Sequence, residues 1–294
     1  MDIIVGKTAG FCYGVKRAVD GAKEVLKKEK NIYGLGEIVH NKEVVKGLER
    51  TGMKFIDDIN EAKGKVIVRA HGISKEIYKK AKEKHIKLID FTCPKVLKIH
   101  GIVKEYSSKG YYIFLLGTKK HPENIGTLSY CKENTFVIEK EDDTFKALEL
   151  FKKSKMKKLL VIAQTTYSLE KFDIVEKIIK NELPRDIKLV VKNTICHATE
   201  IRQKETEKMS KESDCMIIIG GKNSSNTKKL YDIAVSNCKK TIAVENADDL
   251  ELEIINSNEK IGIMAGASTP KESIDNVVKK LYEKVKEKQL SFQS

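Results

Sequence analysis

Three cysteines in this 294-residue chain share a register that ordinary packing does not require. Cys12, Cys93 and Cys196 each open a helical pattern: "FCYGVKRAVDGAKEVL", "TCPKVLKIHGIVKEY" and "ICHATEIRQKETEKMS". A glycine that closes a short apolar run (Gly36, Gly117 or Gly220) stands 24 residues after each of them. In the second repeat, Pro94 suits a first helical turn because it has no N–H to leave unbonded. Val96, Ile99, Val103 and Tyr106 then recur at helical spacing, and Gly110 ends the run. Cys93 therefore takes the N-cap slot, which usually goes to Ser, Thr, Asp or Asn and which a thiol fills poorly. Alone, it fits a small buried packing position as well as a thiolate stabilised by helix N–H groups. Three cysteines in one register favour the thiolate, with each repeat donating one sulfur to a shared metal site.

The metal itself stays open at this point. Three thiolates suit zinc, closed by a histidine or left open to water, and equally an iron–sulfur cube with one iron left for substrate. Cys131, Cys215 and Cys238 stand outside the register. Cys215 falls in a strand pattern and reads as core; Cys131 and Cys238 follow helical stretches and take no role. No CxxC pair occurs, which argues against zinc ribbons and thioredoxin-type redox sites.

The elements that must position these residues repeat as well. After the apolar runs "NIYGLG", "YYIFLLG" and "CMIIIG" come the polar clusters "EIVHN", "TKKHPEN" and "GKNSSN". A second set of apolar runs, "VIVRAHG", "LLVIAQTT" and "IGIMAGAST", also ends in polar residues. The strands "IKLIDFTC" and "IKLVVKNTIC" lead into Cys93 and Cys196, and "MDIIVGKTAGFC" leads into Cys12. Alternating strands and helices imply βαβ units around parallel sheets, whose ligands gather beyond the carboxyl ends of the strands. The expected fold is α/β: three similar lobes with parallel sheets in a pseudo-threefold arrangement around a central pocket. The lobes are expected over residues 1–92, 93–192 and 193–282, with a polar tail over 283–294.

Bulk composition narrows the partners. Lys and Arg number 56 against 42 Asp and Glu, a formal charge of +14 that attracts anions. Much of it lies in runs such as "FKKSKMKK" that read as solvated helix faces. Aromatics make up 6% and Trp is absent, leaving few surfaces on which bases could stack, so nucleic acid is not expected. The N-terminus lacks a signal-peptide pattern, and no apolar run nears the roughly 20 residues that span a bilayer. The expectation is a cytoplasmic protein without membrane segments, its thiols reduced.

The ordered motifs "GFCYGVKRA", "TCPKV", "HPENIGT", "AQTT", "TICHATEIRQ", "GKNSSNTKKL" and "GAST" resemble the IspH or LytB family of 4-hydroxy-3-methylbut-2-enyl diphosphate reductases. The resemblance runs from the first strand to about residue 282. It implies a 4Fe–4S cluster on Cys12, Cys93 and Cys196 with one open iron, and a role in the last step of the methylerythritol phosphate route to isoprenoids. It also implies a diphosphate held by His40, His71, His121, Ser224, Ser225, Asn226 and Ser268. The implied catalytic set is Glu123 as proton donor, Thr165 at the substrate hydroxyl, and His121, with Gln164 and Thr166 supporting. Electrons are expected from ferredoxin or flavodoxin, because "GLGEIVHN" lacks the spacing of a nicotinamide-binding loop. Two departures from the family pattern, Asn124 and Phe91, bear on local packing, and His197 reads as a variable helix-start residue. The competing readings are a three-thiolate zinc hydrolase with Glu123 as base, and a non-catalytic iron–sulfur sensor or RNA-binding module.

Overall fold

The computed structural model describes residues 2–256 and 258–291. From the N-terminus run β1 (Asp2–Val5), α1 (Tyr13–Lys28), β2 (Ile32–Leu35), α2 (Lys42–Arg50), β3 (Lys54–Ile56), β4 (Lys65–Val68), α3 (Lys75–Glu83) and β5 (Leu88–Asp90). The middle of the chain forms α4 (Pro94–Ser108), β6 (Tyr112–Leu116), α5 (Pro122–Leu128), β7 (Thr135–Ile138), α6 (Asp143–Lys153), β8 (Lys158–Ala163), α7 (Leu169–Glu182) and β9 (Lys188–Val191). The last third forms α8 (His197–Glu212), β10 (Cys215–Ile219), α9 (Ser225–Asn237), β11 (Thr241–Val244), β12 (Lys260–Ala265) and α10 (Lys271–Ser291).

Three four-stranded sheets follow one plan, and every strand pair is parallel. Their orders are β3-β2-β4-β5, β7-β6-β8-β9 and β11-β10-β12-β1. In each, the first strand after the cysteine helix lies inside, the next lies at one edge, and the third pairs on the other side. The fourth place belongs to the strand that leads into a cysteine: β5 before Cys93, β9 before Cys196 and β1 before Cys12. The lobe boundaries expected from the sequence therefore shift. β1, placed in a first lobe over 1–92, pairs with β12 and closes the last sheet. Without it, the backbone groups along the edge of β12 would lack ladder partners.

By contact the chain forms two compact units. One comprises the N-terminal segment through Lys16, Val39–Gly47 and the chain from His197 onward; the other comprises Arg17–Ile38 and Leu48–Cys196. The second unit thus holds two of the sheets, and the first holds the sheet of β10, β11, β12 and β1. α10 carries helical backbone through most of the segment read as a polar tail, and residues 292–294 lie outside the described residues.

The inner strands are buried on both faces, as covered parallel sheets require. In β6, Tyr112, Phe114 and Leu116 face a core with Phe151 of α6 and Phe172 and Val175 of α7, while Ile113 and Leu115 face Ile99 and Val103 of α4. In β10, Cys215, Ile217 and Ile219 pack with Ile274, Val277 and Leu281 of α10; Met216 and Ile218 meet Leu230 and Ala234 of α9. α4 starts at Pro94 with Cys93 as N-cap, and Gly110 adopts φ +73° just beyond its end, matching the expected bounds. The lysines of "FKKSKMKK" are exposed, as a solvated run should be. Among the described residues, no helix is long and apolar enough to cross a membrane.

Candidate functional site

Each sheet carries the same order as flavodoxin-like sheets at their switch point, where the two inner strands lead away to opposite sides and leave a crevice at their carboxyl ends. The loops after β2, β4, β6, β8, β10 and β12, with the helix starts they lead into, are the crevice segments, and they carry the histidines, serines and asparagine expected at the diphosphate: His40, His71, His121, Ser224, Ser225, Asn226 and Ser268. One backbone device repeats there three times. Cys12 donates its N–H to Ala267 O (3.1 Å), Cys93 to Ala70 O (2.9 Å) and Cys196 to Thr165 O (2.9 Å). Each acceptor lies two residues past the end of the third strand, β12, β4 or β8. Every cysteine is thereby fixed at a strand end immediately before a helix, partly exposed and outside any disulfide. Of the three cysteines outside the register, Cys131 is also partly exposed, whereas Cys215 and Cys238 are buried. Cys215 is fully buried, with its thiol pushed up to about 12 by burial, and Cys131 is pushed up to about 11 by the same cause. Cys238 is buried in the core beside α9. Desolvation that disfavours the thiolate makes Cys215 and Cys131 poor ligands.

In the unit containing β6 and β8, Glu123 occupies the first turn of α5 and is only 2% exposed. Thr165 engages both of its oxygens: the Thr165 N–H reaches Oε1 at 2.7 Å and the hydroxyl reaches Oε2 at 2.5 Å. His121 caps the same helix, its Nδ1 accepting the Glu123 N–H at 3.2 Å. A neutral His121 then carries its proton on Nε2, as a donor. The rings of His71 and His121 meet edge to face, with centroids 5.3 Å apart. The structure thus brings together Glu123 with Thr165 and His71 with His121, and ties Cys196 to Thr165.

Asn124, a departure from the family pattern, is fully buried. Its Nδ2 donates to Thr118 O and to Gln164 Oε1, each at 2.9 Å. Gln164 in turn accepts from the Thr118 N–H at 3.2 Å and donates to Thr166 Oγ1 at 2.9 Å. These bonds fasten the β6 loop to the β8 loop and so hold Glu123 against Thr165. Gly117 makes the fit possible: a Cβ there would lie 2.5 Å from Asn124 Nδ2 and 2.8 Å from Gln164 Oε1.

In the other unit, Ser224 is the N-cap of α9 and accepts the Thr227 N–H at 3.2 Å, a bond that does not use its hydroxyl proton. Ser225 Oγ accepts from Lys229 Nζ at 3.0 Å. Asn226 is 4% exposed, and neither its Oδ1 nor its Nδ2 has a hydrogen-bond partner. An unsatisfied buried amide is costly, which makes Asn226 a candidate polar binding group. Ser268 donates to His40 O at 3.1 Å, which draws His40 to residues of the third repeat rather than to the first, where its sequence position had put it. Gly221 packs against the same carbonyl, where a Cβ would fall 2.5 Å from His40 O.

The pattern of the LytB protein family matches residues 3–282. The chain belongs to the LytB family. A relative from Caldanaerobacter subterraneus subsp. tengcongensis, named 4-hydroxy-3-methylbut-2-enyl diphosphate reductase, is 40% identical over 287 residues, covering 96% of each chain. A solved (E)-4-hydroxy-3-methyl-but-2-enyl diphosphate reductase, described as the terminal enzyme of the non-mevalonate pathway, is 40% identical, with TM-score 0.69 over 96% of this chain and 99% of that one. The Plasmodium falciparum E-1-hydroxy-2-methyl-but-2-enyl-4-diphosphate reductase is 33% identical, with TM-score 0.85 over 95% of this chain and 87% of that one. Within this LytB chain, His197 is exposed at the start of α8 and lies 3.7 Å from Glu200, as a helix-start residue would. His100 is a buried histidine without an expected role. It stacks on Tyr130 at 4.8 Å, and burial lowers its pKa to about 4.

Proposed function

We propose that this LytB-family chain reductively dehydroxylates (E)-4-hydroxy-3-methylbut-2-enyl diphosphate to isopentenyl and dimethylallyl diphosphate, the last step of the methylerythritol phosphate route. One observation carries the reading. A buried carboxyl, Glu123, is bonded twice to Thr165, and Thr165 in turn accepts the N–H of Cys196. An acid is thus held one residue away from a proposed ligand, in a chain of short bonds. The reaction consumes two electrons and two protons, breaks the C–O bond and releases water, so it needs such a proton source.

The donor set fits an iron–sulfur cluster: three half-exposed cysteines, each fixed by the same backbone bond at a strand end. Cys12, Cys93 and Cys196 would hold a 4Fe–4S cluster, which when bound supplies single electrons and an open iron for the substrate oxygen. The protein's own residues do the rest. Ser224, Ser225, Ser268, Asn226, His40, His71 and His121 offer hydroxyl, amide and imidazole N–H groups to the diphosphate, with the α9 N-terminus adding its dipole. The hydroxyl of Thr165 can accept a proton from Glu123 and pass its own to the substrate oxygen, because a hydroxyl both donates and accepts.

Protein prepared without air should contain iron and acid-labile sulfide and turn over the allylic diphosphate with a chemical reductant. Iron-free, sulfide-free protein, or cluster-loaded protein without turnover, contradicts the proposal. Asn226→Ala removes an amide with no internal role, so its effect should fall on substrate. We expect KM to rise by about ten- to a hundredfold with iron content unchanged, measured by steady-state kinetics.

Electrons would come from ferredoxin or flavodoxin, small carriers that are acidic as a rule, steered by the +14 charge. Turnover with such a protein donor should fall as salt rises, while turnover with a small chemical reductant should not. Equal rates in low and high salt with the protein donor would dismiss steering. A cytoplasmic location agrees with a cofactor that reacts with oxygen.

A further inference from the structure

Two arginines grip the main chain that leads into two of the three cysteines, and we infer that Arg17 and Arg202 are positioning residues for the ligands Cys93 and Cys12. The inference rests on the cofactor reading above. Arg202, on α8, is 3% exposed. Its Nε and Nη2 donate to Thr8 O at 2.8 and 2.6 Å, and Nη2 also donates to Gly10 O at 2.7 Å. Less than one helical turn further on, Glu205 accepts the N–H groups of Lys7 (2.7 Å) and Thr8 (2.9 Å), and the Thr8 hydroxyl as well. A cation holds the carbonyls and an anion holds the amides of one short loop, which ends two residues later at Cys12.

The same division of labour precedes Cys93. Arg17, on α1, donates to Thr92 O at 3.1 Å and to Phe91 O at 3.5 Å, and its guanidinium lies 5.8 Å from the Phe91 ring centre. Asp90 accepts the Thr92 N–H at 2.8 Å and its hydroxyl at 2.5 Å, and is itself held by the Tyr78 hydroxyl at 2.6 Å. Arginine suits this task because its fork is planar and always charged. The third lead-in uses neutral groups. Asn193 Oδ1 accepts from the Ile195 N–H (3.0 Å), and Thr194 Oγ1 bonds both the N–H and the carbonyl of Ala163 (2.8 and 2.5 Å).

Burying the Arg202 guanidinium is costly unless good acceptors meet its charge, and it spends that charge on the carbonyls of Thr8 and Gly10, in the loop before Cys12. The clamps fix two sulfur-bearing loops before any metal arrives.

The test uses Arg202→Gln and Arg17→Gln, purified with cluster under anaerobic conditions. Each is exposed to an iron chelator and N-ethylmaleimide, and the modified cysteines are identified by peptide mass spectrometry over time. In Arg202→Gln, Cys12 should react about ten- to a hundredfold faster than in the unaltered protein, the change expected for lost bonds to a charged donor, with Cys93 little altered. In Arg17→Gln the order should reverse. Arg202→Lys, which keeps the charge and loses the fork, should restore part of the protection, and it carries the comparison if Arg202→Gln does not accumulate in folded form. Identical reaction orders in both variants, or simultaneous modification of buried Cys215 and Cys238, would overturn the inference, the latter because it marks general loosening. A parallel arm on metal-free protein separates the two claims. Unaltered protein lacking iron and sulfide rejects the cofactor reading, while the metal-free pattern still decides whether the clamps act on separate cysteines.

Discussion

Glu123→Gln is expected to slow turnover by about 10²–10⁴ while leaving iron and sulfide content unchanged. The reason lies in the bonds Glu123 makes. A glutamine has nearly the same volume, its carbonyl can still accept the Thr165 N–H, and its amide can donate to the Thr165 hydroxyl, so the loop geometry survives. Asn124 and Gln164 continue to hold the β6 and β8 loops together, because neither bonds to the altered carboxyl. What disappears is the proton that Glu123 can release and recover. Single-turnover assays with reduced protein would show it as a loss in the chemical step, with KM close to that of the unaltered enzyme, since the diphosphate groups are supplied by other residues. Turnover at the unaltered rate would remove Glu123 from the mechanism, and loss of iron would reassign it to cofactor support. Thr165→Val serves as the companion. It keeps the N–H bond and deletes the hydroxyl, so slow turnover there locates the relay in Oγ1 rather than in loop packing.

Features carried by local pattern were legible in the sequence. The cysteine register, the first and third strands of each sheet and the polar loops at their ends follow from runs of Ile, Val and Leu and from fixed spacing. The second strands, β3, β7 and β11, were missed because they are edge strands only partly buried, without the continuous buried apolar run that marks inner strands of similar length such as β2 and β4. The partner of β1 was illegible for another reason. Its own residues look alike whether it starts the first sheet or ends the last, and only the open edge of β12 decides. His40 illustrates the same limit. Its motif lies in the first repeat, yet its backbone is bonded by Ser268, 228 residues later. Asn124 looked like a packing departure, because a buried amide bridging two loops leaves no trace in spacing. The arginine clamps are the extreme case: Arg202 acts on a carbonyl 194 residues away, and side-chain-to-backbone bonds impose no requirement on the residue that accepts them.

Cys93→Ser separates ligand from scaffold, because its two effects should have opposite signs. Cys93 is the N-cap of α4 in extended conformation, φ −61° and ψ 133°, and its side chain makes no capping bond to the helix. Serine at such a position accepts an N–H from the first turn, a gain of roughly 0.5–1 kcal/mol over a poor cap. Its backbone N–H can still reach Ala70 O, so the strand end stays in place. The metal-free variant should therefore melt at the same temperature as the unaltered metal-free protein or slightly above it. A serine hydroxyl is a far weaker donor to iron than a thiolate, so iron and sulfide content should collapse and turnover with it. Cys215→Ser gives the contrast. That thiol is sealed in the core beneath α10 with its pKa near 12, so the substitution should cost stability through a buried hydroxyl and leave the iron content per folded chain unchanged. If Cys93→Ser retained full iron and sulfide, the sulfur of Cys93 would not be a ligand, and a shared register of three cysteines would no longer imply a shared cofactor.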